Sequence, residues 1–351
     1  MSNFPDIRSK VIAGPCSAES RAQVLDTAGA LDRMGIRWFR AGLWKPRTRP
    51  DSFEGLGEKG IPWMKEVKSR YGMFICTEVA SARHVEICLE NGFDMVWLGA
   101  RTTANPFLVE EIASALSGAE IKVFVKNPVN PDNGLWAGDI ERLKMRGVRD
   151  ISVIHRGFST YEKTRFRNAP CWDMAIEFRS SFPDIPFYCD PSHMGGDAAY
   201  VGEIAQKAMD LGLDGLMVES HVNPSAALSD AGQQLTPLEL GRMLDSLKLR
   251  NTDSEDEEYR RRLSLLRERI DELDGSLIDI LSERMNVSRE IGRAKKAGNV
   301  AIIQPDRWDI VMEAIREKSK AAGLDIPFIT RIYNEIHDAS VAEQNRIISE
   351  L

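Results

Sequence analysis

Eight short apolar runs, separated by longer stretches of helical periodicity, govern what this sequence can fold into. They are "KVIAG" from Lys10, "WFRAG" from Trp38, "FICTE" from Phe74, "MVWLG" from Met95, "KVFVK" from Lys122, "ISVIHR" from Ile151, "PFYCD" from Pro186 and "GLMVE" from Gly215. None alternates strictly, which marks strands buried on both faces, as in parallel sheets. Between them lie segments such as "RAQVLDTAGALDRMG" and "AAYVGEIAQKAMDLG", which close on glycine as helices commonly do. Eight strand–helix repeats point to an α/β chain folded as a (β/α)8 TIM barrel over residues 1–249. An open doubly wound sheet is the alternative, but no dinucleotide fingerprint follows the first strand.

In such a barrel the active site lies at the C-terminal ends of the strands. Polar residues there are Cys16, Arg40, Glu78, Arg101, Lys126, Arg156, Asp190, His193 and Glu219. A stable fold needs none of them, and buried charge is costly unless it is paired or meets a ligand. Cys16 follows the stop "GP" and reads either as a small buried filler or as a ligand or nucleophile at the barrel mouth. Cys16, His193, Glu219 and Asp230 together offer a thiolate, an imidazole and two carboxylates, a mixed set able to hold first-row divalent metals. Arg40, Lys45, Arg47, Arg101, Lys126 and Arg156 form a cationic set suited to a substrate with more than one anionic group.

The net charge of −7 disfavours non-specific nucleic-acid binding. No apolar run approaches the length of a membrane span, and "MSNFPDIRSK" lacks a signal-peptide core, so the cytoplasm is expected. The 5 cysteines are scattered, without a C-x-x-C pair, which argues against a disulfide framework or a zinc ribbon. An acidic linker is expected over 250–258. Beyond it, Leu266, Ile270, Leu273, Leu277, Ile280, Leu281, Met285 and Ile291 recur at three- and four-residue steps. The spacing predicts one helix of roughly 35–40 residues ending near Ala297, then helices at about Pro305–Ala322 and Pro327–Glu350. Two short helices cannot cover so long a partner, so this all-α domain over 259–351 is expected to form an intertwined homodimer, or part of a larger homo-oligomer.

The stretches "GPCS", "RAGLWKPRT", "GLGEKG", "GARTTANP", "DPSHMGG", "VESH" and "ALSDAGQQL" resemble, in order, 3-deoxy-D-arabino-heptulosonate 7-phosphate (DAHP) synthases of the subgroup most similar to sugar-octulosonate synthases. The resemblance implies a (β/α)8 barrel that condenses phosphoenolpyruvate with erythrose 4-phosphate at the entrance to the shikimate pathway. It implies a divalent metal, Mn2+ before Fe2+ or Co2+, on Cys16, His193, Glu219 and Asp230. Phosphoenolpyruvate would meet Arg40, Lys45, Ala100, Arg101, Lys126 and Arg156, with Lys126 as proton donor. Arg47, Thr48 and Asp190 would hold erythrose 4-phosphate. The sister 3-deoxy-D-manno-octulosonate 8-phosphate synthases carry a "KANRSS"-like stretch where this chain reads "KPRT", which favours the four-carbon aldose. The first run begins at Lys10, so a barrel without the N-terminal regulatory domain of some relatives is expected.

The tail, in "LLRERIDELDGSLIDILSERMNVSREIGRAKK" and "PFITRIYNEIHDASVAEQ", resembles the all-helical chorismate mutases. That likeness implies a second activity, rearrangement of chorismate to prephenate. Arg267 (reaching in from the partner chain) and Arg284 would clamp the carboxylates. Lys295 and Gln344 would stabilise the ether oxygen, and Arg307 matches a further pocket position. Trp308 stands where the family often has glutamate, and Gln304 where aspartate is common. A tail that only binds chorismate or prephenate as a regulatory module is the competing reading, and prephenate inhibition of the barrel through the tail is expected.

Overall fold

A computed structural model describes residues 7–45, 53–161, 163–250, 256–303 and 305–349. The chain divides into two compact units, Met1–Thr252 and Asp253–Leu351. In the first unit the described residues form eight strands: β1 (Val11–Gly14), β2 (Trp38–Arg40), β3 (Phe74–Val79), β4 (Met95–Leu98), β5 (Lys122–Lys126), β6 (Ile151–His155), β7 (Phe187–Cys189) and β8 (Gly215–Glu219). Each pairs in parallel with the next, and β1 pairs with β8 to close the barrel, Gly14 lying opposite Glu219. The (β/α)8 expectation holds.

The two-residue period of a strand explains where the charges go. Ile12, Cys76, Met95, Trp97, Phe124, Ile154 and Met217 fill the barrel interior. Val11, Ala13, Phe39, Ile75, Val96, Val123, Val125 and Val218 face the surrounding helices. Counting two residues on from an inward position reaches Arg40 from Trp38, Glu78 from Cys76, Lys126 from Phe124, Arg156 from Ile154 and Glu219 from Met217. Inward, C-terminal and charged therefore coincide on five strands. Trp97, fully buried, roofs the apolar layer beneath them.

Among the described residues the second unit holds three helices, Glu257–Gly298, Pro305–Ala321 and Ile326–Ser349, the third packed on each of the other two. The first has 42 residues, longer than expected from the apolar pattern. Asp256 explains the earlier start, because its carboxylate accepts from the backbone N–H groups of Glu258 and Tyr259. Glu257 and Glu258, read as linker, occupy the first turn, where negative charge suits the helix dipole. Residues 251–255 of that linker lie outside the described residues. Leu266, Ile270, Leu273, Leu277 and Ile280 stay more than half exposed along this helix. No described helix is long and apolar enough to cross a membrane.

Candidate active sites

At the C-terminal mouth of the barrel lies a cavity of about 290 Å³ whose lining includes Lys45, Glu78, Arg101, Lys126, Arg156 and His193. Arg40, the last residue of β2, is fully buried and is not among the residues that line this cavity. Its Nη2 donates to Glu219 Oε1 at 3.0 Å, while Nε and Nη1 have no hydrogen-bond partner. The guanidinium carbon lies 4.8 Å from the centroid of Trp97, and Lys126 Nζ lies 5.8 Å from it. An aromatic face under two cations eases their desolvation without neutralising them. Burial works against the Arg40 charge, but Glu219 and Asp190 more than reverse that effect and hold it protonated.

Asp190 follows β7 and caps the short helix Pro191–Gly195, its Oδ1 accepting from the His193 backbone N–H at 3.0 Å. Its Oδ2 accepts from Lys126 Nζ at 2.6 Å. Although buried, Asp190 is held well below the usual carboxylate range by His193 and Lys126. The His193 Nδ1 lies 2.8 Å from Asp190 Oδ2, but out of alignment for a hydrogen bond. Burial lowers the proton affinity of this imidazole, against the opposing pull of Asp190 and Glu219. Arg156, after β6, is pulled down to about 10 by burial, which Asp190 partly offsets while Arg167 and Arg101 add repulsion. That cation is short of negative charge.

The four donors expected to hold a metal come as two pairs. Cys16 Sγ lies 3.4 Å from Asp230 Oδ2, and His193 Nε2 lies 3.6 Å from Glu219 Oε1. Both spans suit donors sharing one ion with bonds of about 2.0–2.3 Å. Among the described residues, however, no three His, Cys, Asp or Glu side chains close into a metal-holding group. Cations stand against the donors instead: Lys45 Nζ is 2.9 Å from Cys16 Sγ, Arg40 meets Glu219, and Arg167 Nη1 is 2.9 Å from Asp230 Oδ1. Burial pushes the Cys16 thiol up to about 12, and nearby Glu219 adds to it. In residue type and pairwise spacing the set fits a divalent first-row metal.

Arg47 and Thr48 lie outside the described residues. Ala100 lines the cavity. Residues that the strand pattern did not reveal are Arg167, Asn168, Asn127 and Gln233. Gln233 Nε2 donates to Glu219 Oε2 at 2.7 Å, and Asn127 Oδ1 accepts from the Arg156 backbone N–H at 2.7 Å. Asn127 directly follows Lys126 at a strand end, a signal that position alone carried. Arg167 and Asn168 lie in a loop, and Gln233 ends the single 3-10 turn Ala231–Gln233, none with a periodicity to read.

The helical unit has its own pocket, of about 340 Å³, lined by Arg284, Lys295, Arg307, Trp308, His337 and Gln344 among others. Arg284 Nη1 donates to Ser340 Oγ at 2.6 Å, and Lys295 Nζ to the Ile302 carbonyl at 2.5 Å. Gln344 is buried with Oε1 unpartnered. Trp308 stacks on His337 with centroids 3.9 Å apart. Arg267, 17 residues before Arg284, is exposed and does not line this pocket. At 1.5 Å per residue that separation is about 25 Å. Gln304 is outside the described residues.

A closed (β/α)8 barrel with buried cations and a mixed donor set at its C-terminal mouth, followed by a helical unit with a second cationic pocket, defines an α/β barrel protein fused to an all-α module. The chain belongs to the DAHP synthetase I family, whose profile matches residues 5–254. Residues 266–345 match the chorismate mutase type II profile. A phospho-2-dehydro-3-deoxyheptonate aldolase from Thermotoga maritima is 33% identical over 225 residues, which is 64% of this chain and 64% of that protein. This chain thus spans slightly less than two thirds of that relative's length. A 2-dehydro-3-deoxyphosphooctonate aldolase from Helicobacter pylori is 27% identical over 274 residues, covering 70% of this chain and 96% of the other. The crystal structure of the Thermotoga maritima DAHP synthase aligns with a TM-score of 0.61 at 31% identity, over 68% of this chain and 67% of that one.

Proposed function

We propose that the chain is a bifunctional shikimate-pathway enzyme. Its barrel condenses phosphoenolpyruvate with erythrose 4-phosphate to DAHP and phosphate, and its helical unit rearranges chorismate to prephenate. The observation that carries the first activity is the set of cations lining one cavity, Lys45, Arg101, Lys126 and Arg156, together with a fully buried Arg40 guanidinium that has two unpartnered nitrogens. A doubly anionic substrate satisfies those donors. Arg40, Lys45, Arg101, Lys126 and Arg156 hold the carboxylate and phosphate of phosphoenolpyruvate beside Ala100, while Arg47, Thr48 and Asp190 orient the aldose phosphate. Carbon 3 of the enolpyruvate bonds to the aldehyde carbon, whose oxygen takes a proton. Water adds at carbon 2, and the carbon–oxygen bond to phosphate breaks. Lys126, whose Nζ donates to Asp190, delivers a proton in this step. Cys16, His193, Glu219 and Asp230 would hold a divalent metal, Mn2+ by preference, which would supply Lewis-acid polarisation of the carbonyl oxygen.

In the helical unit, Arg284, Lys295, Arg307 and Gln344 converge on one pocket. Arg284 holds a carboxylate, and Lys295 with Gln344 meets the ether oxygen as charge develops there. Arg267 enters from the partner of a homodimer formed along the apolar stripe. Prephenate, which keeps both carboxylates, binds the same pocket and inhibits the barrel. The chain works in the cytoplasm, with no nucleic-acid or membrane partner. The test is phosphate release from phosphoenolpyruvate with erythrose 4-phosphate or arabinose 5-phosphate as the aldose, together with chorismate disappearance. Faster turnover of arabinose 5-phosphate would assign the barrel to octulosonate synthesis. Unchanged chorismate would make the tail a binding module only.

A further inference from the structure

The loop after β6 returns to the barrel mouth at Arg167 and Asn168, and the role of this pair follows from what it touches. The loop's base is fixed by reciprocal backbone bonds of 2.8 Å between Phe158 and Ala169. Next to it, the Arg167 and Asn168 N–H groups donate to the Gly195 and Met194 carbonyls at 3.1 Å each. Asn168 is buried, and its carboxamide is used at both ends. Oδ1 accepts from Arg156 Nη1 at 2.7 Å, and Nδ2 donates to the His193 carbonyl at 2.6 Å. A guanidinium only donates and a carbonyl only accepts, so the partners dictate an amide here.

The backbone on both flanks is shaped to admit this pair. Gly157 (φ +77°) and Gly196 (φ +71°) are left-handed. A Cβ on Gly157 would lie 2.9 Å from the Asn168 carbonyl oxygen, and one on Gly196 would lie 2.4 Å from Arg167 Cβ. Two glycines in a conformation costly for other residues leave room for one dipeptide.

We propose that Asn168 is a positioning residue for anion binding: it fixes the Arg156 guanidinium and ties it to the turn that carries Asp190 and His193. This rests on the condensation reading only in naming phosphoenolpyruvate as the anion. An arginine side chain loses much rotamer freedom on binding, and a partner that already holds one nitrogen reduces that loss. The partner must be neutral. A carboxylate at the same place would satisfy Arg156 and compete with the incoming anion, besides losing the donor to His193.

That distinction gives the test. Phosphoenolpyruvate binding is measured by calorimetry on the full-length chain for wild type, Asn168→Ala and Asn168→Asp, with melting temperatures in parallel. A positioning role predicts about tenfold or greater loss of affinity for Asn168→Asp and a smaller loss for Asn168→Ala. It also predicts that KM for phosphoenolpyruvate rises more than kcat falls. A packing role predicts the opposite order, with the truncated alanine variant worse and affinity following melting temperature. That order, or unchanged affinity, overturns the proposal. If neither variant folds, Asn168→Gln, with both groups moved out by one methylene, must weaken binding at near-native melting temperature. Wild-type chain that binds phosphoenolpyruvate but condenses it with no aldose would sink the condensation reading and leave this one standing.

Discussion

Arg40 is the buried cation whose proposed binding role is most directly tested. One of its nitrogens meets Glu219, two meet nothing, and an aromatic ring lies alongside. Arg40→Lys keeps a charge for Glu219 but loses the planar fork, so the fold should survive while phosphoenolpyruvate binding weakens by about 1.5–3 kcal/mol, or tenfold and more. Calorimetry reads this directly, and native affinity in the variant would show that the anion binds elsewhere. Cys16→Ala tests the donor set separately. Loss of the thiol should weaken Mn2+ association at least about tenfold in equilibrium dialysis, and unchanged uptake would remove Cys16 from the site. At this scale the sequence was most informative where a strand's two-residue count fixes direction. Arg40, Lys126 and Glu219 each end an apolar strand on its inward parity, and Arg156 directly follows one. Asn168 has no such count. Its meaning depends on a loop that doubles back to Gly195 and Met194, and a contact across 25 residues leaves no local pattern.

At the scale of elements, the eight strands were legible because burial on both faces demands continuous apolar runs, and the helical tail because its stripe repeats over many turns. Boundaries were less so. The long helix begins at an aspartate cap inside a charge run that composition alone reads as linker. One helix of the barrel shell carries an inconsistency that pH should expose. Asp139, in the helix Asn133–Met145, is fully buried with neither carboxylate oxygen partnered, and burial raises its pKa to about 8 against a slight opposing pull from Arg142. Its folded pKa is raised, so between roughly pH 4 and pH 8 the folded state holds a proton that the unfolded chain has released. Stability therefore falls as pH rises through that window, by at most about 1.4 kcal/mol per unit. A carboxamide at this position does not titrate. The melting temperature of Asp139→Asn minus that of wild type should grow by several degrees from about pH 5 to pH 8, then level off. A difference independent of pH would mean that water or an unseen partner satisfies the carboxylate.

For the whole molecule, two units in one chain raise the question of what joining them achieves. The exposed stripe of the long helix supplies the first part of an answer, since an apolar row of this length is normally covered. Leu273→Glu, at its middle, should shift the full-length chain toward monomer in sedimentation and reduce mutase activity by removing the partner's Arg267 from the pocket; an unchanged dimer would place the interface elsewhere. The second part concerns regulation. On the proposed activities, the barrel's reaction commits carbon to aromatic synthesis, and the product of the tail, prephenate, retains the two carboxylates that Arg284 and its neighbours are suited to hold. Occupying that pocket alters the barrel only if prephenate prefers an arrangement of the chain in which condensation is slow, because a ligand of equal affinity for both arrangements shifts nothing. A preference of about 1–3 kcal/mol, typical of coupled sites, corresponds to roughly a 5- to 150-fold difference in affinity between the two arrangements. The experiment titrates prephenate against condensation in the full-length chain and in Arg284→Ala, reading the inhibited fraction within each protein. Inhibition should be saturable in wild type, with its midpoint raised about tenfold or more by the substitution. The same midpoint in both would put the inhibitor on the barrel. No inhibition in either would leave the fusion to serve something other than feedback, such as holding two catalysts of one pathway at equal abundance.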